Sequence, residues 1–185
     1  MRTFALSRSL SQRFHRFAQD ARGVSAVEFA MLLPLMLTLY LGTVEVSQGV
    51  SIDRKVTLTT RTVADLASQA SSIAAADMTN IFNASSAVIQ PYDSTKLKLV
   101  VSQITIDANS SAKIAWSCTQ GGTRHAVGAA VTLPSALLVP STSLIWSEVS
   151  YSYTPTIGYV VTGTLNLSDQ IYMRPRLSDN ITNTC

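Results

Sequence analysis

The stretch that decides the architecture reads RGVSAVEFAMLLPLMLTLYLGTVE and covers residues 22–45. Its apolar part, residues 29–44, carries no charge and is bracketed by Glu28 and Glu45. As a helix this part spans about 24 Å, which is shorter than the ~30 Å hydrocarbon core of a bilayer. Adding Val24 to Val27 and Val46 gives a workable length. The sequence therefore predicts a transmembrane helix over residues 24–50, with Glu28 inside the lipid boundary.

Pro34 lies in the middle of this predicted span. A proline has no backbone N–H and its ring displaces the preceding turn, so we expect a kink there. Membrane helices tolerate such prolines when neighbouring groups satisfy the freed carbonyl.

Charge is distributed unevenly along the chain. Residues 1–23 carry five arginines against Asp20, a balance of +4, whereas the rest of the chain has a balance of −1. An excess of arginine beside an apolar span is typical of its cytoplasmic flank. A nucleic-acid-binding protein is expected to carry its basic face on the folded domain instead. We therefore predict a basic cytoplasmic leader over residues 1–23 and no nucleic-acid partner.

Beyond the span the periodicity changes twice. Apolar residues at helical spacing predict an amphipathic helix without a break from Val50 to Ala76, then a short helix from Met78 to Ile89 capped by Asp77. Period-two alternation then predicts strands within residues 96–107, 114–118, 145–153 and 165–173, with a switch of apolar parity near Ser102 that suggests a bulge. The expected fold class is α+β, with a long transmembrane helix continuing into a helix packed on an antiparallel sheet. Residues 51–185 are expected to form this extracytoplasmic domain.

The two cysteines, Cys118 and Cys185, both lie far downstream of the predicted span. A disulfide between them is allowed if this region lies outside the cytoplasm. Two unpaired thiols remain the alternative, because sequence alone does not place the sulfurs.

The junction between Gly23 and Val24 combines three chemical features. A residue without a side chain, Gly23, lets a membrane protease approach the backbone closely. A carboxylate at the position of Glu28 costs roughly 2.5–3.5 kcal/mol in hydrocarbon, so it needs a partner. Cleavage after Gly23 would create an α-amino group at Val24, which Glu28 of a neighbouring subunit can pair with. The alternative is that Glu28 reaches the headgroups and has no role in assembly.

The stretch GVSAVEFAMLLP at residues 23–34, with GTVE at 42–45, resembles the N-terminal signature of TadE/TadG-like proteins. Residues 147–155 and 168–176 also resemble the end of TadE-type proteins. The family comprises pilin-like components of the tight-adherence (Tad, Flp-type) pilus. The resemblance implies a pilin-like protein of the bacterial inner membrane, with a periplasmic C-terminal domain and processing by a prepilin peptidase. Its partners would be the membrane, other pilins and pseudopilins, and the Tad inner-membrane assembly proteins.

The function predicted from this resemblance is that of a minor pilin or pseudopilin in Tad pilus assembly. Phe29 stands where the major Flp pilins usually have Tyr, and those pilins are much shorter, which favours a minor component. The alternative function is an uncleaved single-pass scaffold of the pilus secretion machinery.

Catalysis is not indicated by any motif. The two histidines are His15, in the predicted leader, and His125, which is expected to be isolated in a surface loop. Motifs for zinc, phosphate or a nucleophilic serine are not found. We therefore predict no catalytic residue, no metal and no cofactor, with an extracytoplasmic enzyme of unfamiliar type as a distant alternative. Arg174 and Arg176 are read either as an anion or partner site or as solvated surface.

Overall fold

The computed structural model describes residues 21–155, 158, 162–183 and 185, so most of the predicted leader, residues 1–20, lies outside the described residues. In chain order the elements are α1 (Ala21–Ser68), β1 (Ser72–Ile73), α2 (Ala75–Val88), β2 (Leu97–Ile106), β3 (Ala112–Gln120), β4 (Thr142–Tyr153), β5 (Leu165–Met173) and β6 (Thr182–Asn183). Helices precede the main sheet, and the predicted α+β class is confirmed.

The first helix, α1, is 48 residues long and continuous, or about 70 Å at 1.5 Å per residue. In its second half the residues at helical spacing, such as Ile52, Val56 and Val63, are fully buried. The predicted amphipathic continuation is therefore confirmed, but its predicted end at Ala76 is wrong. The helix ends at Ser68, whose carbonyl accepts a hydrogen bond from the Arg176 N–H at 2.9 Å. This contact with the far end of the chain has no local signal.

The second helix begins three residues before its predicted start at Met78 and ends at Val88. Asp77 therefore lies inside the first turn, where its carboxylate accepts a hydrogen bond from the Ala74 N–H at 3.1 Å. At the other end, Lys55 Nζ of α1 donates to the Val88 carbonyl at 3.1 Å. Both ends of α2 are thus held by side chains that satisfy free backbone groups.

Four strands form the main sheet in the order β3-β2-β4-β5, and every neighbouring pair is antiparallel. The two short strands β1 and β6 pair in parallel and tie the C-terminal tail to the segment between the helices. A bulge lies between Gln103 and Ile104 of β2, and the extra residue is Ala115 of β3.

The switch of apolar parity near Ser102 has a different cause from the one predicted. The register of β2 with β4 runs unbroken from Leu97 to Ile106, so β2 itself keeps a regular alternation. What changes along β2 is the face of the sheet against which other parts of the chain pack. The first half of β2 belongs to the main core with α1 and α2, whereas Ile104 and Ile106 belong to a second cluster with Leu133 of the β3–β4 connection.

Candidate membrane and assembly site

The first half of α1 presents apolar side chains to its surroundings instead of to the domain. Met31 is 77% exposed and Leu39 is 63% exposed, and the most apolar window of this helix has no buried residue. An apolar surface of this extent is atypical of a water-exposed face. The helix is long and apolar enough to cross a membrane, and it is compatible with a single-pass membrane protein.

Gly23, Val24 and Glu28 lie in the first two turns of α1, and all three are exposed. A Cβ atom added at Gly23 would meet no atom within 4 Å, so packing does not require a glycine there. Val24 and Glu28 are four residues apart and therefore lie on the same helix face. A new amine at Val24 would therefore lie about one helical turn from Glu28 in the same chain. Pairing between neighbouring chains stays a prediction.

Pro34 lies within α1, which continues as an α-helix on both sides of it. Because Pro34 has no N–H, the carbonyl of Ala30 loses its usual partner. The Pro34 carbonyl itself accepts a second hydrogen bond, from Thr38 Oγ1 at 2.8 Å. The predicted kink stays a prediction.

Glu45 marks the level at which α1 meets the sheet. Its side chain is only 2% exposed. The Tyr153 hydroxyl at the end of β4 donates to the Glu45 carbonyl (3.4 Å) and to Gln48 Oε1 (3.3 Å). Burial raises the pKa of Tyr153 above 10.0, and the charge of Glu45 raises it further.

The sequence pattern does not predict that Glu45 is buried, because in that pattern Glu45 only bounds the apolar run. Its spacing of seven residues to Ile52 places it on the face that becomes buried, and this spacing is the signal that could have identified it. Contact between α1 and the sheet therefore begins within the predicted span of residues 24–50.

Two grooves lie between α1 and β5, one at each end of the strand. The lower groove has a volume of about 270 Å³ and is lined by Glu45, Val46, Gly49, Val50, Asp53, Tyr153, Leu165 and Leu167. The upper groove, of about 310 Å³, is lined by Arg61, Thr62, Asp65, Leu66 and Met173. The strand β5 therefore begins at the end of the domain nearest the exposed apolar half of α1 and runs away from that end alongside α1.

Cys118 and Cys185 form a disulfide in the structure, with their Cα atoms 5.9 Å apart. Cys118 is buried on β3, and Cys185 is exposed. Arg124 Nη1 adds a hydrogen bond to the Cys185 backbone oxygen at 3.1 Å. The C-terminal tail is thus fastened to the sheet.

A buried amide, Gln103, fastens the same tail. Its Oε1 accepts hydrogen bonds from Trp116 Nε1 (3.0 Å) and the Ile181 N–H (2.9 Å), and its Nε2 donates to Asn180 Oδ1 (3.0 Å). Buried polar groups are tolerated when they are bonded in this way. Sequence reasoning missed Gln103, because a lone polar residue in an apolar strand resembles a solvent-facing position.

His125 is not isolated, contrary to the expectation from sequence. Its Nε2 lies 2.5 Å from Glu148 Oε2, and its ring stacks on Trp146 with 4.6 Å between ring centroids. Trp146 stacks in turn on Tyr172 at 5.8 Å. These contacts hold the β3–β4 connection against the outer sheet face. Among the described residues, no group of three or more His, Cys, Asp or Glu side chains could hold a metal ion.

Arg176 has a structural position at the end of α1. Its guanidinium pairs with Asp65, and its N–H bonds the Ser68 carbonyl. Both Arg174 and Arg176 are exposed, as the solvated-surface interpretation predicts, and Arg176 also caps the end of α1.

Comparison with protein families gives one match. Residues 23–65 match the family model described as TadE-like protein, which is a pilus-associated family and not an enzyme family. The matched residues contain the exposed apolar half of α1 and most of its buried half. Comparison with curated proteins and with solved structures gives no match.

Proposed function

We propose that this chain, whose residues 23–65 match the TadE-like family model, belongs to the TadE/TadG-like family and is a minor pilin or pseudopilin that takes part in assembling a Tad (Flp-type) pilus. A prepilin peptidase cuts it after Gly23. The apolar half of α1 then packs laterally against the helices of other pilins or pseudopilins, and the sheet domain is displayed in the periplasm.

One observation carries this proposal: α1 is one helix with two surfaces. From Val24 to Val46 most of its apolar side chains are exposed, and from Ile52 to Ala67 most are buried in the domain core, although Leu58 is exposed. A helix that only supported the domain would not need the exposed apolar surface of its first half. Lipid and the helices of neighbouring subunits are the two environments that can cover it.

The N-terminal residues support processing for a physical reason. The space around Gly23 is open, so the fold places no demand on this residue. Once Val24 is the N-terminus, its amine is favourably placed to meet a carboxylate, either its own Glu28 one turn away or that of a neighbour.

The proposed location is the bacterial inner membrane, with the N-terminus in the cytoplasm and the C-terminal domain in the periplasm. The arginines of the leader favour this orientation. A disulfide between Cys118 and Cys185 is consistent with an oxidising compartment. Further proposed partners are the prepilin peptidase and the Tad inner-membrane assembly proteins.

Mass spectrometry of the protein from cells tests the processing. We expect a mature N-terminus at Val24, and we expect Gly23→Ala to accumulate as the uncut form. Gly49→Ala is the matched control in the same helix, because its added Cβ would meet only Tyr153 Cε1 at 3.7 Å. A different mature N-terminus would refute the cleavage, and equal processing of both variants would refute the need for glycine at position 23.

The uncleaved scaffold is separated from the proposal by Glu28→Leu. If Glu28 pairs with an amine during assembly, this variant inserts normally and cells lose their pili. If the chain is an uncut scaffold, removing a carboxylate from lipid is harmless. Val27→Leu, at the adjacent exposed position, is the control that changes no charge.

A further inference from the structure

The strand β5 forms an open edge of the main sheet. The opposite edge, β3, is covered by the chain that follows it: the Ile114 N–H donates to the Ala129 carbonyl at 3.0 Å, and the Gly128 N–H donates to the Ile114 carbonyl at 2.8 Å. Along β5, the described residues supply no strand beyond β4. An open row of backbone groups is a template for pairing with another extended chain.

The register identifies which backbone groups are open. The Ile114 N–H points away from β2, so Ile114 and its partner Ile104 are a pair without hydrogen bonds to each other. The backbone groups of Ile104 therefore point towards β4, where Ile104 forms a hydrogen-bonded pair with Leu144. The odd-numbered residues of β4 therefore bond to β5, through pairs such as Val149 with Asp169. The N–H and C=O groups of four residues point outward from β5: Asn166, Ser168, Gln170 and Tyr172. In agreement with this, the Gln170 N–H is bonded by the neighbouring Asp169 side chain, at 2.8 Å.

The two faces beside this edge differ in polarity. On the side of α1, Leu165 and Leu167 line the lower groove and Met173 lines the upper one. On the other side, Asn166, Ser168 and Gln170 are exposed. Asp169, between Leu167 and Ile171, is the one charged residue of β5 on the α1 side. A strand laid beside β5 would therefore meet mainly apolar groups with every second side chain and polar groups with the others.

We propose that the open edge of β5 binds an extended segment of a different protein as a fifth strand of the sheet. The bound segment has apolar residues at alternate positions, and these face α1. Its outward backbone groups bond those of Asn166, Ser168 and Tyr172 and the carbonyl of Gln170, whose N–H already donates to Asp169. This is β-augmentation, in which main-chain bonds supply affinity and alternate side chains supply specificity.

A second copy of this chain related by a twofold axis does not fit the edge. Because β5 runs away from the membrane alongside α1, antiparallel pairing of two β5 strands would place the two apolar spans at opposite ends of the pair. Parallel pairing about a twofold axis along the strands would instead place each outward N–H opposite the same N–H of the copy. Two donors would then face each other, and no hydrogen bond would form. Pairing of β5 with the β3 edge of another copy is blocked where residues 128–131 cover β3. Anchoring of α1 in a membrane is sufficient to fix the direction of β5. Neither cleavage nor pilus assembly is needed for it.

The test uses the full chain in lipid nanodiscs, with random nonapeptides displayed on phage as the probe. We expect the enriched peptides to carry apolar residues at alternate positions. Binding of a synthetic copy should slow hydrogen exchange at the amides of Ser168 and Tyr172, with little change at Ile114 on the covered edge.

Methylating the peptide backbone supplies a matched control that leaves the protein unchanged. N-methyl groups on the alternate residues that face β5 should weaken binding at least tenfold, and those on the residues between should not. Ser168→Pro, which removes one outward N–H, should weaken the same peptide. The proposal is overturned if no peptide is enriched, if the enriched pattern follows helical spacing, or if methylation acts equally at both sets of positions. These measurements do not involve pili. The proposed peptide binding can therefore fail while the proposed function stands, and the proposed function can fail while peptide binding is observed.

Discussion

Removing the bond between Cys118 and Cys185 should greatly destabilise the sheet domain while leaving its fold in place. The two cysteines are 67 residues apart in sequence. In the chain-entropy account, opening a loop of this length costs about 4 kcal/mol of unfolding free energy at 25 °C. The tail keeps its hydrogen bonds to Gln103 after reduction, so the folded state retains the pairing of β1 with β6.

Urea denaturation of the full chain in detergent micelles measures this effect, with the fluorescence of Trp116 and Trp146 as the signal. With a slope of about 2 kcal/mol per molar urea, reduction should lower the midpoint by about 2 M. The Cys118→Ala/Cys185→Ala double variant should show the lower midpoint and no response to reductant. A loss below about 1 kcal/mol would refute the reasoning, because it would mean that the bond does not restrict the unfolded chain.

Three further predictions use the same denaturation assay. Gln103→Leu leaves the buried Ile181 N–H without an acceptor, whereas Trp116 Nε1 keeps its bond to the Ile181 carbonyl at 2.8 Å. The variant should cost about 2 kcal/mol; a loss within error would mean that water replaces the amide. Lys55→Met removes the bond to the end of α2 and should cost less than about 1 kcal/mol, with Lys98→Met, on the outer face, as the neutral control. Burial raises the pKa of Tyr151, Tyr153 and Tyr172 above 10.0, so the folded chain holds these protons more tightly than the unfolded chain. Stability should therefore be full below pH 10 and fall as the pH rises through the raised values; a midpoint that stays constant across this range would contradict the shifts.

Local patterns were sufficient for the regular elements. The period-two alternation of β4 and β5 follows from burial of one sheet face, and an uncharged run such as residues 29–44 needs no tertiary information to be recognised as a span. The α+β class follows from the order of these patterns.

The remaining features depend on contacts between distant parts of the chain. The end of α1 is decided by Arg176, more than a hundred residues away, and the role of Gln103 depends on where Ile181 comes to lie. The switch of apolar parity in β2 also depends on distant contacts. The alternation of apolar residues shows which face of the strand is buried, but it does not show whether a bulge or a change in the packed elements causes the switch. The pairing of His125 with Glu148 also joins segments that sequence reasoning treats as unrelated.

The continuity of α1 has a mechanical consequence. Since Glu45 is already packed beneath Tyr153, the half of the helix with exposed apolar side chains continues directly into the half that carries the sheet. A pull or a twist applied to the domain would therefore be transmitted along the helix towards its exposed apolar half. Rotation of the helix about its own axis would turn β5 and its open edge by the same angle, so the packing of helices within the membrane would set the direction in which the sheet faces its surroundings.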